Sequence, residues 1–241
     1  EQEIIEHVLD FNPDFVGLTS TWASMENAMN LATILKSRKP ELSISLGGYT
    51  ATFSDKEILG DYHQIDYIIR GEGEITLLKL VKYLCNSQPI DELLGITFRD
   101  KDNKIVQNPI EPYIKDLDTI PFPARDIFEE ILQTEALYIL NMITSRGCYG
   151  NCSFCAIAAF SRLCKGTPAW RGRSVENVMN ELELLLNKYP EIHFVNFADN
   201  NFFGPGKAGK QRVKELAQAI IDRNLEIEWH TSARPDNFSS E

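Results

Sequence analysis

The 241 residues carry 43% hydrophobic and 24% charged side chains, the balance of a folded globular chain long enough for one large domain or two ordinary ones. A net charge of −11 argues against a broad nucleic-acid surface, which needs clustered Lys and Arg. No apolar run approaches the ~20 residues that span a bilayer, and no charged-then-apolar leader opens the chain. Five cysteines, three of them clustered, do not form a secreted disulfide framework, so a cytoplasmic protein without membrane or nucleic-acid partners is expected.

Residues 1–85 alternate helical and strand patterns. "EQEIIEHVLDF" sets Ile4, Ile5, Val8 and Leu9 on one helical face, and "DFVGLTS" is a short apolar run closed by small polar residues. Residues 24–38 return to helical spacing at Met25, Ala28, Met29, Ala32, Ile34 and Leu35. "LSISLGG" reads as a strand ending in two glycines, "IDYIIRGEGE" as a strand ending in a glycine–acid turn, and "ITLLKLVKYLC" as a helix. This alternation predicts βαβ units and a parallel sheet whose strand ends carry Gly, Ser and Thr at the ligand-binding edge. Cys85, at the end of the last helix, is expected to be an ordinary buried thiol.

Residues 86–136 change character. "GITFRDKDNKIVQNP" predicts a hairpin around Asp102-Asn103, and the two prolines of "LDTIPFPARD" make a stiff extended connector. The expected organisation is an α/β domain at 1–105, a linker at 106–136 and a second domain at 137–241. In the second domain "ALYILNMITSRGC" is a strand running into the cysteine loop. "SVENVMNELELLLNKY" is an amphipathic helix with Ser174 as N-cap and Asn177 in its first turn. "IHFVNFADNNFF" is a second strand, residues 207–223 a helix, and "LEIEWHTSARPD" a third strand. Three βα units do not close a barrel, so this domain is expected to be cut short at its C-terminal side.

The chemistry concentrates in "RGCYGNCSFC", with the spacing Cys148-x3-Cys152-x2-Cys155. Thiolates in a short loop suit zinc or iron–sulfur, and Gly147 and Gly150 let backbone approach a bulky group. A four-iron cubane normally takes four cysteines; with three, one iron keeps an open position where a cosubstrate can bind. The alternative is a zinc site completed by Cys164 or a histidine, although no second CxxC follows and no histidine pair stands at ligand spacing. Cys164 reads as incidental, and three unrelated cysteines would be the blandest account.

The loop "CYGNCSFC" after the first strand of a βα series resembles the CxxxCxxC signature of the radical S-adenosylmethionine (radical SAM) superfamily, with the aromatic Phe154 before the third cysteine matching its usual pattern. The resemblance implies that Cys148, Cys152 and Cys155 hold a 4Fe–4S cluster. Its open iron would chelate S-adenosylmethionine, which one electron cleaves to methionine and a 5′-deoxyadenosyl radical. It also implies that Asp199, with Asn200 nearby in "FADNNFF", grips the methionine amino group. Ser232 and Arg234 of "TSARPD" would approach the cosubstrate's carboxylate or ribose, the Arg fork suiting a carboxylate. The alternatives are ordinary turn chemistry for Asp199 and Asn200, and a surface arginine for Arg234. Arg173 in "WRGRSVENV" reads equally as structural or functional.

Ahead of this motif, residues 1–85 resemble the cobalamin-binding domain of cobalamin-dependent radical SAM enzymes, as does the linker "LDTIPFPARD". The matching positions are Ser20 and Thr21 in "LTSTW", Gly47, Gly48, Tyr49 and Thr50 in "LGGYTAT", and Gly71, Glu72 and Gly73 in "RGEGE". The resemblance implies a flavodoxin/Rossmann-like domain with the corrin over the strand ends, followed by part of a radical SAM (β/α) barrel. The DxHxxG motif of many cobalamin domains is absent: His7 sits in a helix and precedes Val8. Three clear strands, where such a sheet has five, imply a domain truncated at its start. A degenerate domain that keeps the fold and loses the corrin is the alternative.

The implied function is class B radical SAM methyl transfer to an unactivated carbon, with cobalamin-dependent cyclisation or rearrangement as the enzymatic alternative. A non-catalytic cobalamin or iron–sulfur binding module is the alternative from another class. The implied partners are a small-molecule or peptide substrate and an electron donor such as flavodoxin or ferredoxin.

Overall fold

The protein is described from a computed structural model, which describes residues 2–86, 90–126 and 139–238. The chain divides into two compact units, Glu1–Tyr113 and Ile114–Glu241.

In the first unit α1 (Gln2–Phe11), β1 (Phe15–Thr19), α2 (Met25–Arg38) and β2 (Ser43–Gly47) fall where the apolar spacing puts them. They are followed by α3 (Tyr49–Phe53), α4 (Asp55–Asp61), β3 (Tyr67–Ile69) and α5 (Gly73–Asn86). Strands β1, β2 and β3 are parallel, with Leu18 opposite Leu46 and Leu46 opposite Ile68. The hairpin β4 (Ile96–Arg99) and β5 (Ile105–Gln107) then extends the same sheet antiparallel, giving the order β1-β2-β3-β4-β5. Asn103 turns the hairpin at φ 61°, and the Asp100 carboxylate accepts hydrogen bonds from the Asp102 and Lys104 amides.

Met29, Ala32 and Leu35 of α2 pack with Ile44, Leu46 and Ile68 of the strands. A second cluster joins Leu80 of α5 to Ile96 and Phe98 of the hairpin. The buried Asp55 at the start of α4 locks hairpin to helix: it accepts hydrogen bonds from Thr97 Oγ1 at 2.5 Å and Gln107 Nε2 at 2.6 Å and pairs with Arg70 at 3.3 Å. Cys85 corrects the sequence reading. It is exposed, because the helix buries the stripe through Thr76 and Leu80, and Cys85 lies off that stripe.

The second unit opens with connector residues docked on its own elements. The Asp118 carboxylate accepts a hydrogen bond from the Ser174 amide at 2.9 Å, and Arg171 donates to the Ile114 carbonyl. Residues 127–138, including the expected end of the linker and the first residues of "ALYILNM", lie outside the described residues. Then come β6 (Ile139–Met142), the antiparallel pair β7 (Ser145–Gly147) and β8 (Trp170–Gly172), and between them α6 (Ala156–Phe160). After these come α7 (Val175–Lys188), β9 (Phe194–Phe197), α8 (Gly206–Asp222) and β10 (Glu228–Thr231).

Strands β10, β9 and β6 form a parallel sheet in that order, each joined to the next in sequence through a helix. Ser174 caps α7 as its sequence predicts, its hydroxyl accepting from the Asn177 amide at 3.1 Å. Val178, Met179, Leu182 and Leu185 of α7 and Leu216 and Ile220 of α8 bury one sheet face through Leu140, Met142, Val195 and Phe197. Period-two alternation sends Asn141, Asn196 and His230 to the other face. There Asn196 Nδ2 donates to Asn141 Oδ1 at 2.8 Å, and Asn196 Oδ1 lies 3.1 Å from His230 Nδ1. Among the described residues no helix is long and apolar enough to cross a membrane.

Candidate functional sites: a strand edge and a cysteine loop

In the first unit the ends of β1, β2 and β3 bring together several of the positions the sequence singles out. The Ser20 amide donates to the Gly47 carbonyl at 2.9 Å. Gly48 takes φ 100°, and a Cβ there would collide with the Ser20 carbonyl, so only glycine fits. Ser20 is 1% exposed and its hydroxyl has no hydrogen-bond partner. A buried hydroxyl without a partner beside such a glycine is able to take a ligand's polar group.

Gly71, at φ 76°, serves close packing instead: a Cβ would come 2.9 Å from the Tyr113 ring, and its amide donates to Thr52 Oγ1. Gly73 begins α5 with only an ordinary contact to Ile69, while Tyr49, Thr50 and Glu72 are half-buried beside it or at the start of α3. Thr21 is spent locally, in a reciprocal cap with Ser24 that fixes the turn after β1. That cap presents Trp22, which is 86% exposed and which pattern reasoning passed over because a lone tryptophan in a turn breaks no rule.

In the second unit Gly147, at φ 81°, hands the chain from β7 into the cysteine loop, where a Cβ would strike the Ala169 carbonyl. The loop is held from three sides. Ser161 Oγ accepts from the Cys148 amide at 3.3 Å and donates to the Ile157 carbonyl at 2.7 Å. Arg162 donates to the Tyr149 and Gly150 carbonyls at 3.1 and 2.8 Å. Arg234 sits 5.4 Å over the Tyr149 ring with Nη1 4.0 Å from Cys152 Sγ, and Asn237 Nδ2 donates to Tyr149 Oη. The Gly150 amide donates to Cys148 Sγ at 3.3 Å, and Cys155 starts α6.

All five cysteines are free thiols, with Cys152 exposed and Cys148 and Cys155 half-buried. Among the described residues no three Cys, His, Asp or Glu side chains converge on a metal-sized point. The donor set fits an iron–sulfur cluster: three soft ligands on one loop, an amide aimed at a sulfur and a guanidinium beside another. Cys164 is 6% exposed and accepts a hydrogen bond from Thr167 Oγ1 at 3.5 Å. Phe154, between the second and third cysteines, is 91% exposed.

Asp199 has partners other than those the resemblance implies. It is 4% exposed, and its oxygens accept from the Thr144 amide and hydroxyl at 3.1–3.3 Å and from Ser145 Oγ at 2.5 Å. It clasps the β6–β7 turn to the end of β9. Burial raises its pKa, opposed by the hydrogen bonds from Ser145 and Thr144 and by the nearby Arg212 guanidinium. Arg212, unforeseen in the sequence, donates to the Thr144 and Arg173 carbonyls.

Asn200 is exposed, whereas its neighbour Asn201 is fully buried with neither side-chain polar atom partnered. Ser232 is exposed and its carbonyl accepts from the Phe202 amide. Arg173 is structural: it donates to Glu181, Asn177 and the Ile143 carbonyl. A cavity of about 260 Å³ lies among Ile120, Phe122, Arg125, Asn141, Arg146 and Glu181.

Comparison with known proteins agrees with both halves. Residues 1–81 match the B12 binding domain family. The chain is 32% identical over 238 residues to an uncharacterised methyltransferase, PH0819, of Pyrococcus horikoshii, aligning 98% of this chain with 50% of that one. It superimposes with a TM-score of 0.81, at 29% identity, on the cobalamin-dependent radical enzyme OxsB, whose structure holds aqua-cobalamin and S-adenosylmethionine; the match covers 98% of this chain and 32% of OxsB. The chain is a relative of the cobalamin-dependent radical SAM enzymes. It is also 29% identical to the anaerobic magnesium-protoporphyrin IX monomethyl ester cyclase of Rubrivivax gelatinosus, aligning 97% of this chain with 41% of the cyclase. This chain therefore spans a third to a half of the length of these relatives.

Proposed function

We propose that this chain carries the two cofactor-binding units of an enzyme that transfers a methyl group to an unactivated carbon, using S-adenosylmethionine as radical source and cobalamin as methyl carrier. The observation that carries this reading is the Cys148–Cys155 loop at the head of a parallel sheet, in a chain whose residues 1–81 match a B12 binding domain. When bound, a 4Fe–4S cluster supplies the electron that cleaves S-adenosylmethionine to a 5′-deoxyadenosyl radical.

The chain's own groups have defined tasks in this reading. Cys148, Cys152 and Cys155 are the cluster ligands, and the Gly150 amide supports the Cys148 sulfur. Arg234 holds positive charge against the loop, while Ser232 and Asn200 stand exposed at neighbouring strand ends to meet the cosubstrate. Asp199 orients that edge through Thr144 and Ser145. In the first unit Ser20, Gly47 and Gly48 take the cobalamin, with Tyr49, Gly71, Glu72 and Gly73 framing the edge and Thr21 fixing its turn. The substrate is a small molecule or peptide, the electron donor a flavodoxin or ferredoxin, and the reducing cytoplasm the compartment that keeps the thiols available.

Anaerobic reconstitution with iron, sulfide and hydroxocobalamin tests the reading. Corrin bands with a broad iron–sulfur shoulder and release of 5′-deoxyadenosine on reduction with S-adenosylmethionine are expected, both iron-dependent features being lost in Cys148→Ala. A colourless, zinc-containing protein overturns it, and cofactor binding without 5′-deoxyadenosine favours a binding module. The similarity to a cyclase favours cyclisation as a second reading, distinguished by a product that gains no methyl mass.

A further inference from the structure

We propose that Trp22 is the aromatic contact for the corrin ring of bound cobalamin, an inference that rests on the cobalamin reading of the first unit. Three observations meet at the end of β1. Ser20 is buried with an open hydroxyl, against a glycine whose Cβ-less backbone touches its carbonyl. Two residues on, Trp22 is 86% exposed, more than any other tryptophan or tyrosine among the described residues whose exposure is given. The turn between them is not slack, because Thr21 and Ser24 cap one another through the Thr21 amide and both hydroxyls at 3.0–3.2 Å. An indole carried into water on a capped turn can cover a flat apolar surface without reordering the backbone.

Size separates the tasks of these residues. The Ser20 hydroxyl is buried, so a partner for it has to be a small polar group reaching in. Trp22 stands exposed, where a ligand must present a broad face. Cobalamin has both parts: a slender nucleotide tail and a wide corrin with apolar faces. Ser20 and Gly48 then receive the tail, and Trp22 packs against the corrin.

The test uses the whole 241-residue chain, hydroxocobalamin and cobinamide (the corrin without its nucleotide), with Trp22→Ala and Trp22→Phe variants checked for unchanged far-ultraviolet circular dichroism. Equilibrium dialysis gives affinity, and mass-spectrometric mapping of tryptophan oxidation reads Trp22 directly. Trp22 is expected to oxidise rapidly without corrinoid and to be protected by it. Trp22→Ala is expected to weaken hydroxocobalamin and cobinamide alike by roughly tenfold, with Trp22→Phe recovering most of the loss.

Wild-type binding with no protection of Trp22 and unchanged Trp22→Ala affinity overturns the inference and leaves the cobalamin reading standing. Weakening confined to hydroxocobalamin overturns it in favour of a nucleotide contact. Slow oxidation of Trp22 before any corrinoid is added means another part of the protein covers it, and also overturns it. No wild-type binding of either corrinoid defeats the cobalamin reading itself.

Discussion

Arg234 Nη1 lies 4.0 Å from Cys152 Sγ while the rest of its guanidinium is forked onto Asp236 through Nε and Nη2 at 2.9 and 2.8 Å. The Asp236 hydrogen bonds hold the Arg234 pKa above its ordinary value, so its charge is permanent. A residue from the segment after β10 thus positions a loop formed far earlier in the chain. Arg234→Ala is expected to lower iron retention by the reconstituted protein about tenfold, as loss of an outer-shell support commonly does. Iron analysis after gel filtration checks this, and Arg234→Lys, which keeps charge without the fork, should recover only part.

The cysteines give a sharper contrast. Cys148→Ala, Cys152→Ala and Cys155→Ala should each abolish the iron–sulfur absorbance. Cys85→Ala, on the exposed end of α5, and Cys164→Ala, whose sulfur is bound to Thr167, should keep it. Zinc in the wild-type protein that is lost in Cys164→Ala would instead mark a four-ligand site.

Glu181 is 2% exposed in its side chain, with one oxygen 3.2 Å from Arg125 Nη2 and the other 2.5 Å from Arg173 Nη1. Its truncation leaves two guanidinium groups facing one another in a desolvated place. Glu181→Ala should destabilise the second unit by about 3–5 kcal/mol, read as a lowered urea midpoint. Glu181→Leu should cost a similar amount, because the charge that is lost matters more than the volume.

Asp199 carries a pH dependence of defined sign. Burial raises its folded pKa above the ordinary 3.8. A carboxyl raised by folding favours the folded state fully below the unfolded value, and that contribution is lost as pH rises through the folded value. The stability of wild type relative to Asp199→Asn should therefore be greatest at the acid end, and shrink as pH rises above the ordinary carboxylate value. Urea midpoints of the two proteins across that range check it; a gap that widens with pH contradicts the buried-acid account.

Gly48→Ala places a Cβ against the Ser20 carbonyl at a left-handed φ of 100°. A cost of roughly 1–3 kcal/mol to the first unit is expected, with loss of any ligand held there. Gly73→Ala, whose Cβ meets only Ile69 at 3.6 Å, serves as the control for folding alone.

Local chemistry was legible in the sequence where one turn or one stripe decides it. Ser174 caps its helix and Asn103 turns its hairpin because the partners lie within three residues. Partners distant in sequence were not. The hairpin was visible, but not that it would join the parallel sheet beside β3, since pairing depends on tertiary fit. Asp199 was picked out by its place after a strand, yet its orientation is set by Thr144 and Ser145, 55 and 54 residues earlier. Cys85 was assigned to the core by its helix, yet it stands about 140° round the helix from Leu80 and faces water. Trp22 and Asn201 stood unmarked within their stretches; exposure singles out the first, and burial without partners the second.

The Asn141–Asn196–His230 row has a direction. Asn196 donates its amide N–H to Asn141, so the oxygen it offers to His230 can only accept. His230 then presents an Nδ1 proton to that oxygen. One end of the row carries the amide hydrogens of Asn141, the other the imidazole edge of His230. Three side chains from three strands have thereby fixed one hydrogen-bond direction across this face of the sheet.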